Sequence, residues 1–299
     1  MKLKQSILLF TFGLFSLNTF SQDLLSELGD EEEVVRTRAS FKNSKVINAQ
    51  SLETTYGGVL DFRISHRFGQ INGGLYQFFG LDQASMRLSL DYGLTDRLQI
   101  GIGRSTYEKT VDGHIKYRLL WQTANSNKMP ISLILYSSMS VNGMRFDNTF
   151  YERTFDTRIN YVNHIIVGRK FNERFSAELL PTIVHRNFVL TAAEKNTVFA
   201  IGGAGRAKLT NRLALNAEYF YVPEGQLAAG YTNSLSLGFD IETGGHVFQL
   251  HMTNTPIMVD KGYITETTGK WGKGDICFGF NISRVFTIKK PKMPKEEQQ

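Results

Sequence analysis

Cysteine is almost missing from this chain. Cys277 stands alone among 299 residues, which excludes an intrachain disulfide and a cysteine-based zinc site. Proline is scarce as well, with 6 residues against 27 glycines, 22 phenylalanines and 12 tyrosines. Few chain breakers with many aromatics suit extended strands better than a helix bundle. Beyond the extreme N-terminus there is no run of roughly 20 apolar residues, so a polytopic helical membrane protein is excluded. The net charge is only +6, and no Lys/Arg stripe of the kind nucleic-acid binding requires is present. At 41% hydrophobic and 21% charged residues, the chain is not disordered.

What is present begins with an address. Lys2 and Lys4 precede an apolar stretch from Ile7 to Leu17, and Thr19 and Ser21 supply small residues at a cleavage site. This order is that of a secretory signal peptide, expected over residues 1–21. A retained anchor helix is the alternative. No cysteine follows the apolar core, so a lipid-modified N-terminus is excluded. Residues 22–55 then form an acidic periplasmic arm, opening with Asp23, Glu27, Asp30, Glu31, Glu32 and Glu33. Its later part, Phe41 to Thr55, reads as a short strand or as a segment tucked into a lumen.

From Val59 the dominant signal is alternation, the period-2 signature of strands. Leu60, Phe62, Ile64, His66 and Phe68 share one face, while Asp61, Arg63, Ser65 and Arg67 share the other. Twelve such runs follow one another to Ile282 and on to Phe286. They include Met86–Tyr92, Leu98–Ile102, His114–Trp121, Ile131–Ser140, Asn160–Lys170, Phe175–Ile183 and Phe199–Lys208. Leu213–Tyr221, Leu235–Ile241, Phe248–Thr253 and the run from Asp275 complete the set. Each is about 10 residues long, which a tilted strand needs to cross a bilayer. The links alternate in length. Gly93 to Arg97, Phe171 to Arg174, Leu209 to Arg212 and Thr243 to Gly245 are tight turns with Asn, Asp or Gly. Links of opposite parity, such as Gly69 to Ala84 and Asn254 to Gly274, are mostly longer. Short periplasmic turns with longer extracellular loops are the habit of outer-membrane barrels. Tyr92 and Trp121 would then lie at the periplasmic rim, and Phe68, Tyr219 and Tyr221 at the outer rim.

The expected fold class is therefore all-β: a single transmembrane antiparallel β-barrel of about 12 strands, of the outer-membrane type, over residues 56–286. A basic periplasmic tail, 287–299, follows. Pro291 and Pro294 stop the last strand from extending into it.

The segments Phe41-Lys42, Val46-Ile47-Asn48, Ile64-Ser65-His66-Arg67-Phe68-Gly69, Phe79-Gly80-Leu81-Asp82-Gln83-Ala84, Gly101-Ile102-Gly103-Arg104-Ser105 and Asp112-Gly113 occur in that order. As an ordered set they resemble a Bacteroidota family described as a membrane-bound β-barrel domain (domain of unknown function 5777). The resemblance is strongest over residues 41–121 and looser to about 286. It implies an outer-membrane barrel and brings no substrate, cofactor or catalytic residue.

Candidate site residues come from the predicted inner face. Asp61, Arg63, Arg67, Arg87, Asp91, Lys116, Arg118, Glu178, Arg206, Glu218 and Asp240 mix both signs. They would serve either as a selectivity lining for small polar solutes or as an ion-pair network that fills a narrow barrel. The six histidines show no metal-binding spacing, and no cofactor motif is found. Gly202 to Lys208 lacks the spacing and following helix of a phosphate loop. Ser65 and His66 are neighbours on a strand, hence on opposite faces, and cannot form a catalytic dyad. The apolar loop Gly69–Gln83 is expected to fold into the barrel mouth, with packing on the rim or binding of a partner as the alternatives.

The reading is a non-enzymatic outer-membrane barrel with periplasmic termini, a narrow pore or transporter-like channel for small solutes. The alternatives are a closed barrel that serves a surface complex as a structural or assembly partner and, more weakly, an outer-membrane enzyme. The expected partners are outer-membrane lipid, the barrel-assembly machinery and a small polar solute, with no nucleic acid.

Overall fold

The structure is a computed structural model that describes residues 35–124, 129–145, 154–243 and 246–289. The expected signal peptide, the acidic stretch before Val35, the turn at Gly244-Gly245 and the lysine-rich end after Lys289 lie outside the described residues.

Twelve antiparallel strands close into one barrel. They are β1 (Val59–Gln70), β2 (Ala84–Gly93), β3 (Leu98–Ser105), β4 (Val111–Leu120), β5 (Ser132–Val141) and β6 (Ile159–Lys170). The second half comprises β7 (Phe175–Arg186), β8 (Thr197–Lys208), β9 (Leu213–Tyr221), β10 (Ser234–Thr243), β11 (His246–Thr253) and β12 (Cys277–Thr287). Every strand pairs with its sequence neighbours, and β1 pairs with β12 from Val59↔Thr287 to Gln70↔Cys277. Closure leaves no unpaired strand edge, the arrangement that backbone groups in hydrocarbon require. Most strand boundaries fall within two residues of the periodicity reading, but β3 runs on to Ser105, β4 begins three residues earlier, at Val111, and β7 ends three residues later, at Arg186. β5 starts at Ser132, β6 at Ile159, and β12 runs one residue past Phe286.

The wall is apolar outside and polar inside. Ile115 is 55% exposed and Ile102 56%, whereas the adjacent Lys116 and the nearby Gln99 are fully buried. That inversion is stable only where lipid surrounds the protein. Twelve strands spaced about 4.8 Å and tilted about 40° enclose a backbone cylinder roughly 24 Å across. Inward side chains narrow it to about the width of one α-helix, 10–12 Å.

That space is filled by two segments. The first, residues 40–55, enters from the end that carries the short turns. Thr37 donates its N–H to the Gln122 carbonyl there (2.8 Å), and the Gly58 N–H reaches Gly93 (2.8 Å). Phe41, Val46, Ala49, Gln50, Ser51 and Leu52 are all at most 2% exposed. The second lies between β11 and β12, where a short helix, α1 (Asp260–Thr265), is buried along its whole length.

The loop between β1 and β2 departs from expectation. It does not fold into the mouth: Leu75 is 79% exposed, Tyr76 94% and Phe78 57%. Its base is pinned at the rim, because Gly69 donates to the Gln83 carbonyl (3.2 Å) and Ile71 to that of Ile276 (2.8 Å). Gly80 closes the base at φ 86, where a Cβ would collide with the Gly69 carbonyl. With its ends fixed there and α1 already in the mouth, the loop turns outward.

Candidate functional site

The lumen holds the chemistry-bearing side chains of the molecule, and its two halves differ. On β5–β8 much of the inward face is apolar, although Asn160, His164, Glu178, Arg186 and Arg206 also point inward. Ile134, Val162, Ile166, Val184 and Val198 pack with Phe41, Val46 and Leu52 of the N-terminal plug and with Tyr263 and Ile264 of α1. On β1–β4 and β9–β12 the inward positions are mostly polar or charged. β5 and β6 carry the same alternation as their neighbours, but their inward face is aliphatic or weakly polar, so sequence contrast there is low.

All eleven candidate lumen residues are buried, none more than 4% exposed. The structure brings some of them together within the wall. Arg63 pairs with Asp61 at 3.3 Å, and Asp61 also accepts from the Ser283 hydroxyl at 2.8 Å. Arg87 pairs with Asp112. Asp91 faces His114 at 3.6 Å and accepts from the plug's Ser44 hydroxyl at 3.2 Å. Among the described residues Arg67 forms no ion pair with a carboxylate, and it donates to His251 Nε2 at 2.8 Å. Asp240 accepts from the Gln249 amide at 2.6 Å. Glu178 is buried without an ion pair among the described residues.

The remaining wall residues hold the plug. Lys116 donates to the carbonyls of Ser44 (2.8 Å) and Glu53 (2.6 Å). Arg118 donates to the Leu52 carbonyl at 2.6 Å, and Arg206 to those of Ala39 and Ser40 at 3.4 Å each. Gln249 and Asn281 reach the carbonyls of Val46 (2.5 Å) and Ile47 (3.3 Å). Glu218 does the converse. Residues 44–51 turn back on themselves, with Ser51 N–H bonded to Ser44 O and Val46 N–H to Ala49 O. The apex thus presents three successive N–H groups, a nest that favours an anion. The Glu218 carboxylate occupies it, accepting from Ile47 (3.1 Å), Asn48 (2.9 Å) and Ala49 (2.9 Å). Trp121, expected as a rim aromatic, also serves this segment: its indole N–H donates to the Thr37 carbonyl at 2.7 Å, and Arg118 stacks on its ring at 4.3 Å.

The plug and α1 meet inside the barrel. Lys45 lies 4.0 Å from Asp260, with both side chains buried. Asp260 also accepts from the Tyr136 hydroxyl at 2.5 Å. Burial alone would raise the Asp260 carboxyl. The nearby Lys45 ammonium, His164, the Tyr136 hydrogen bond and Arg87 outweigh it and hold the group below the usual carboxylate range. Burial, with Arg87, pushes the Lys45 ammonium down, against the pull of Asp260, Asp112 and Asp91. At the end of the barrel with the long links, Lys261 bonds Glu108 (2.9 Å) and Glu266 (2.6 Å), and these two carboxylates hold its ammonium above the usual range despite burial. Sequence reasoning missed Asp260 and Lys261, which sit in a loop with no periodic signal. Among the described residues no group of three or more His, Cys, Asp or Glu is placed to hold a metal ion.

Glu218→Ala removes the only acceptor of three buried N–H groups, each about 1–3 kcal/mol to leave unsatisfied. A thiol placed by Ser51→Cys is expected to resist a water-soluble maleimide in the parent barrel and to react once Glu218→Ala is added. The native Cys277 is 1% exposed and serves as the silent background. Equal protection in both backgrounds would show that the nest does not hold the plug.

Comparison with known proteins places these features. The family described as a membrane-bound β-barrel domain (DUF5777) matches residues 41–286, a span that takes in the plug and the closing strand. Among solved structures, the chain is similar to the NanC porin, with 8% identity, a TM-score of 0.47, and coverage of 76% of this chain and 98% of that one. It is similar to an outer membrane channel from Pseudomonas putida F1, at 13% identity and TM-score 0.46, covering 78% and 96%. The Acinetobacter baumannii outer membrane protein Omp33 aligns at 8% identity and TM-score 0.43, covering 79% and 100%. No curated protein matches the sequence.

Proposed function

Because the chain belongs to the membrane-bound β-barrel family DUF5777, we propose that it is a gated outer-membrane channel for small polar solutes, described here in its closed state. Its termini face the periplasm, on the side of the short turns. The observation that carries this reading is how the plug is held. It adds no strand to the barrel and is fastened by side-chain hydrogen bonds from Lys116, Arg118, Arg206, Gln249, Asn281 and Glu218. Each such contact exchanges for water at a net cost of about 0.5–1.5 kcal/mol, or about 1.5–3 where a charged group takes part, so the plug can move while the barrel wall stays intact. When it moves, cations and carboxylates of the β1–β4 and β9–β12 wall line a wet passage and select for small polar solutes.

Planar-bilayer recording of the purified full-length protein tests this. Long closed periods broken by uniform unitary openings are the expected record. A correctly folded barrel that stays silent at every voltage would sink the channel reading. It would favour the second one, a closed barrel that serves as a structural or assembly partner, which the filled lumen also suits.

The gate's response to pH follows from Asp260. Its folded pKa lies below the unfolded one, so its contribution to the closed state is complete above the unfolded value, about 3.9, and is lost only as pH falls through the lower folded value. The part of the pH response that depends on Asp260, read as the difference between the parent and Asp260→Asn, is therefore expected to stay flat from about pH 7 down to about pH 5. A change in that difference over the interval, measured by single-channel recording, would contradict the lowered pKa of Asp260.

A further inference from the structure

Between β4 and β8 the lipid-facing wall is indented. A depression of ≈ 680 Å³ is walled by Tyr117, Leu135, Ile165, Phe199 and Ile201, and its floor includes Ser137, Asn163 and Pro181. Strand register explains the shape. One row runs Ile115↔Ser137↔Asn163↔Ile183 across four strands, so two short polar side chains sit where the flanking strands carry isoleucine. In the next row, Tyr117↔Leu135↔Ile165, the ladder breaks opposite Pro181: pairing stops at His164↔Thr182 and resumes at Val167↔Leu179. Proline has no N–H for the ladder and adds little bulk to the face.

The polarity of the floor identifies what fills it. Ser137 and Asn163 are exposed and directly opposite one another. Neither side chain has a hydrogen-bond partner among the described residues. Both lie near the middle of their strands, Ser132–Val141 and Ile159–Lys170, away from the depth of lipid headgroups. A hydroxyl or carboxamide without a partner costs several kcal/mol in hydrocarbon, and polar groups placed inside a membrane mark functional sites. No charged residue lines the depression. The complementary occupant is elongated and apolar, carries no charge at this depth, and offers one hydrogen-bonding group partway along its length.

We propose that this depression binds a hydrocarbon chain that bears a hydroxyl partway along it. The hydroxyl donates to the Asn163 carbonyl or accepts from its amide, with Ser137 as the second partner. The methylenes lie against Leu135, Ile165 and Phe199. The site faces lipid, on the opposite side of the wall from the lumen.

Competition between 12-hydroxystearate and stearate tests the proposal. The full-length barrel is equilibrated with an equimolar mixture of the two acids in neutral detergent micelles, and the bound acids are counted by native mass spectrometry. The hydroxy acid is expected to be retained at least ten-fold over stearate. Asn163→Leu with Ser137→Ala should abolish that preference while stearate retention persists. Both substitutions place residues common on lipid-facing strands, and heat-modifiable gel mobility reports that the barrel is intact. Equal retention of the two acids, retention of neither, or a preference that survives in the double variant would overturn the proposal. So would self-association of the parent barrel lost in the double variant, which would assign this face to a second copy of the chain.

Discussion

Asp260→Asn is expected to turn a mostly closed barrel into a frequently open one. The substitution keeps the shape of the side chain and removes its charge. Lys45, buried 4.0 Å away, then has lost its nearest carboxylate. Removing one partner of a buried ion pair costs about 3–5 kcal/mol, because the remaining charge is uncompensated. Here that cost falls on the closed state alone, since an opened plug would leave Lys45 in water. A shift of about 3 kcal/mol changes the ratio of closed to open states on the order of 100-fold. Single-channel recording should show long openings in Asp260→Asn, and Lys45→Met should restore closure by removing the orphaned charge. If Asp260→Asn conducts as rarely as the parent, the contact between plug and α1 is not the latch. If Lys45→Met with Asp260→Asn stays open, the hydrogen bond to Tyr136 matters more than the ion pair.

Arginine on the outer wall should be the most damaging single change to the barrel. Ile100, Leu119, Leu237 and Phe278 all point outward; Ile100 is 39% exposed and Leu237 41%. An Arg at mid-depth on a lipid face costs about 2–4 kcal/mol, the range expected for Ile100 and Leu237, and about 0–1 near the interfaces, where Leu119 and Phe278 sit one residue from the ends of β4 and β12. Replacement of their inward neighbours Gln99 or Ser236 by a small polar residue should cost far less, although each change loses a particular contact. Gln99, for instance, accepts from the Thr55 N–H at 2.8 Å. Folding into lipid vesicles against urea would measure the difference. Equal destabilisation by the two sets would contradict the assignment of faces.

The faces of the wall were legible because side-chain direction in a strand alternates with every residue. Leu60 with Phe62 and Asp61 with Arg63 separate outer from inner positions without any knowledge of a partner strand. The same local rule yielded twelve strands and the parity of their links. Where polar contrast was low, on β5 and β6, the signal was weaker, because several of their inward residues, Ile134, Val162 and Ile166, pack on apolar side chains of the plug and α1. The β1–β2 loop misled for a related reason. Its apolar composition argued for burial, but composition carries no information about where the ends of a loop are tied.

The sequence by itself determined that this is a membrane barrel, which residues face lipid and which face inward. Those are properties of the pleat and of hydrophobic contrast, both readable along a few adjacent residues. Only the tertiary structure decided that the inside is filled and what the inward charges do. Glu218 meets Ile47 across 171 positions of sequence, and Tyr136 meets Asp260 across 124. A carboxylate that caps a nest of backbone N–H groups leaves no spacing signature, since any residue supplies those groups. Closure of twelve strands brings such distant segments to one axis, and the width left between the walls admits a single chain segment from each end.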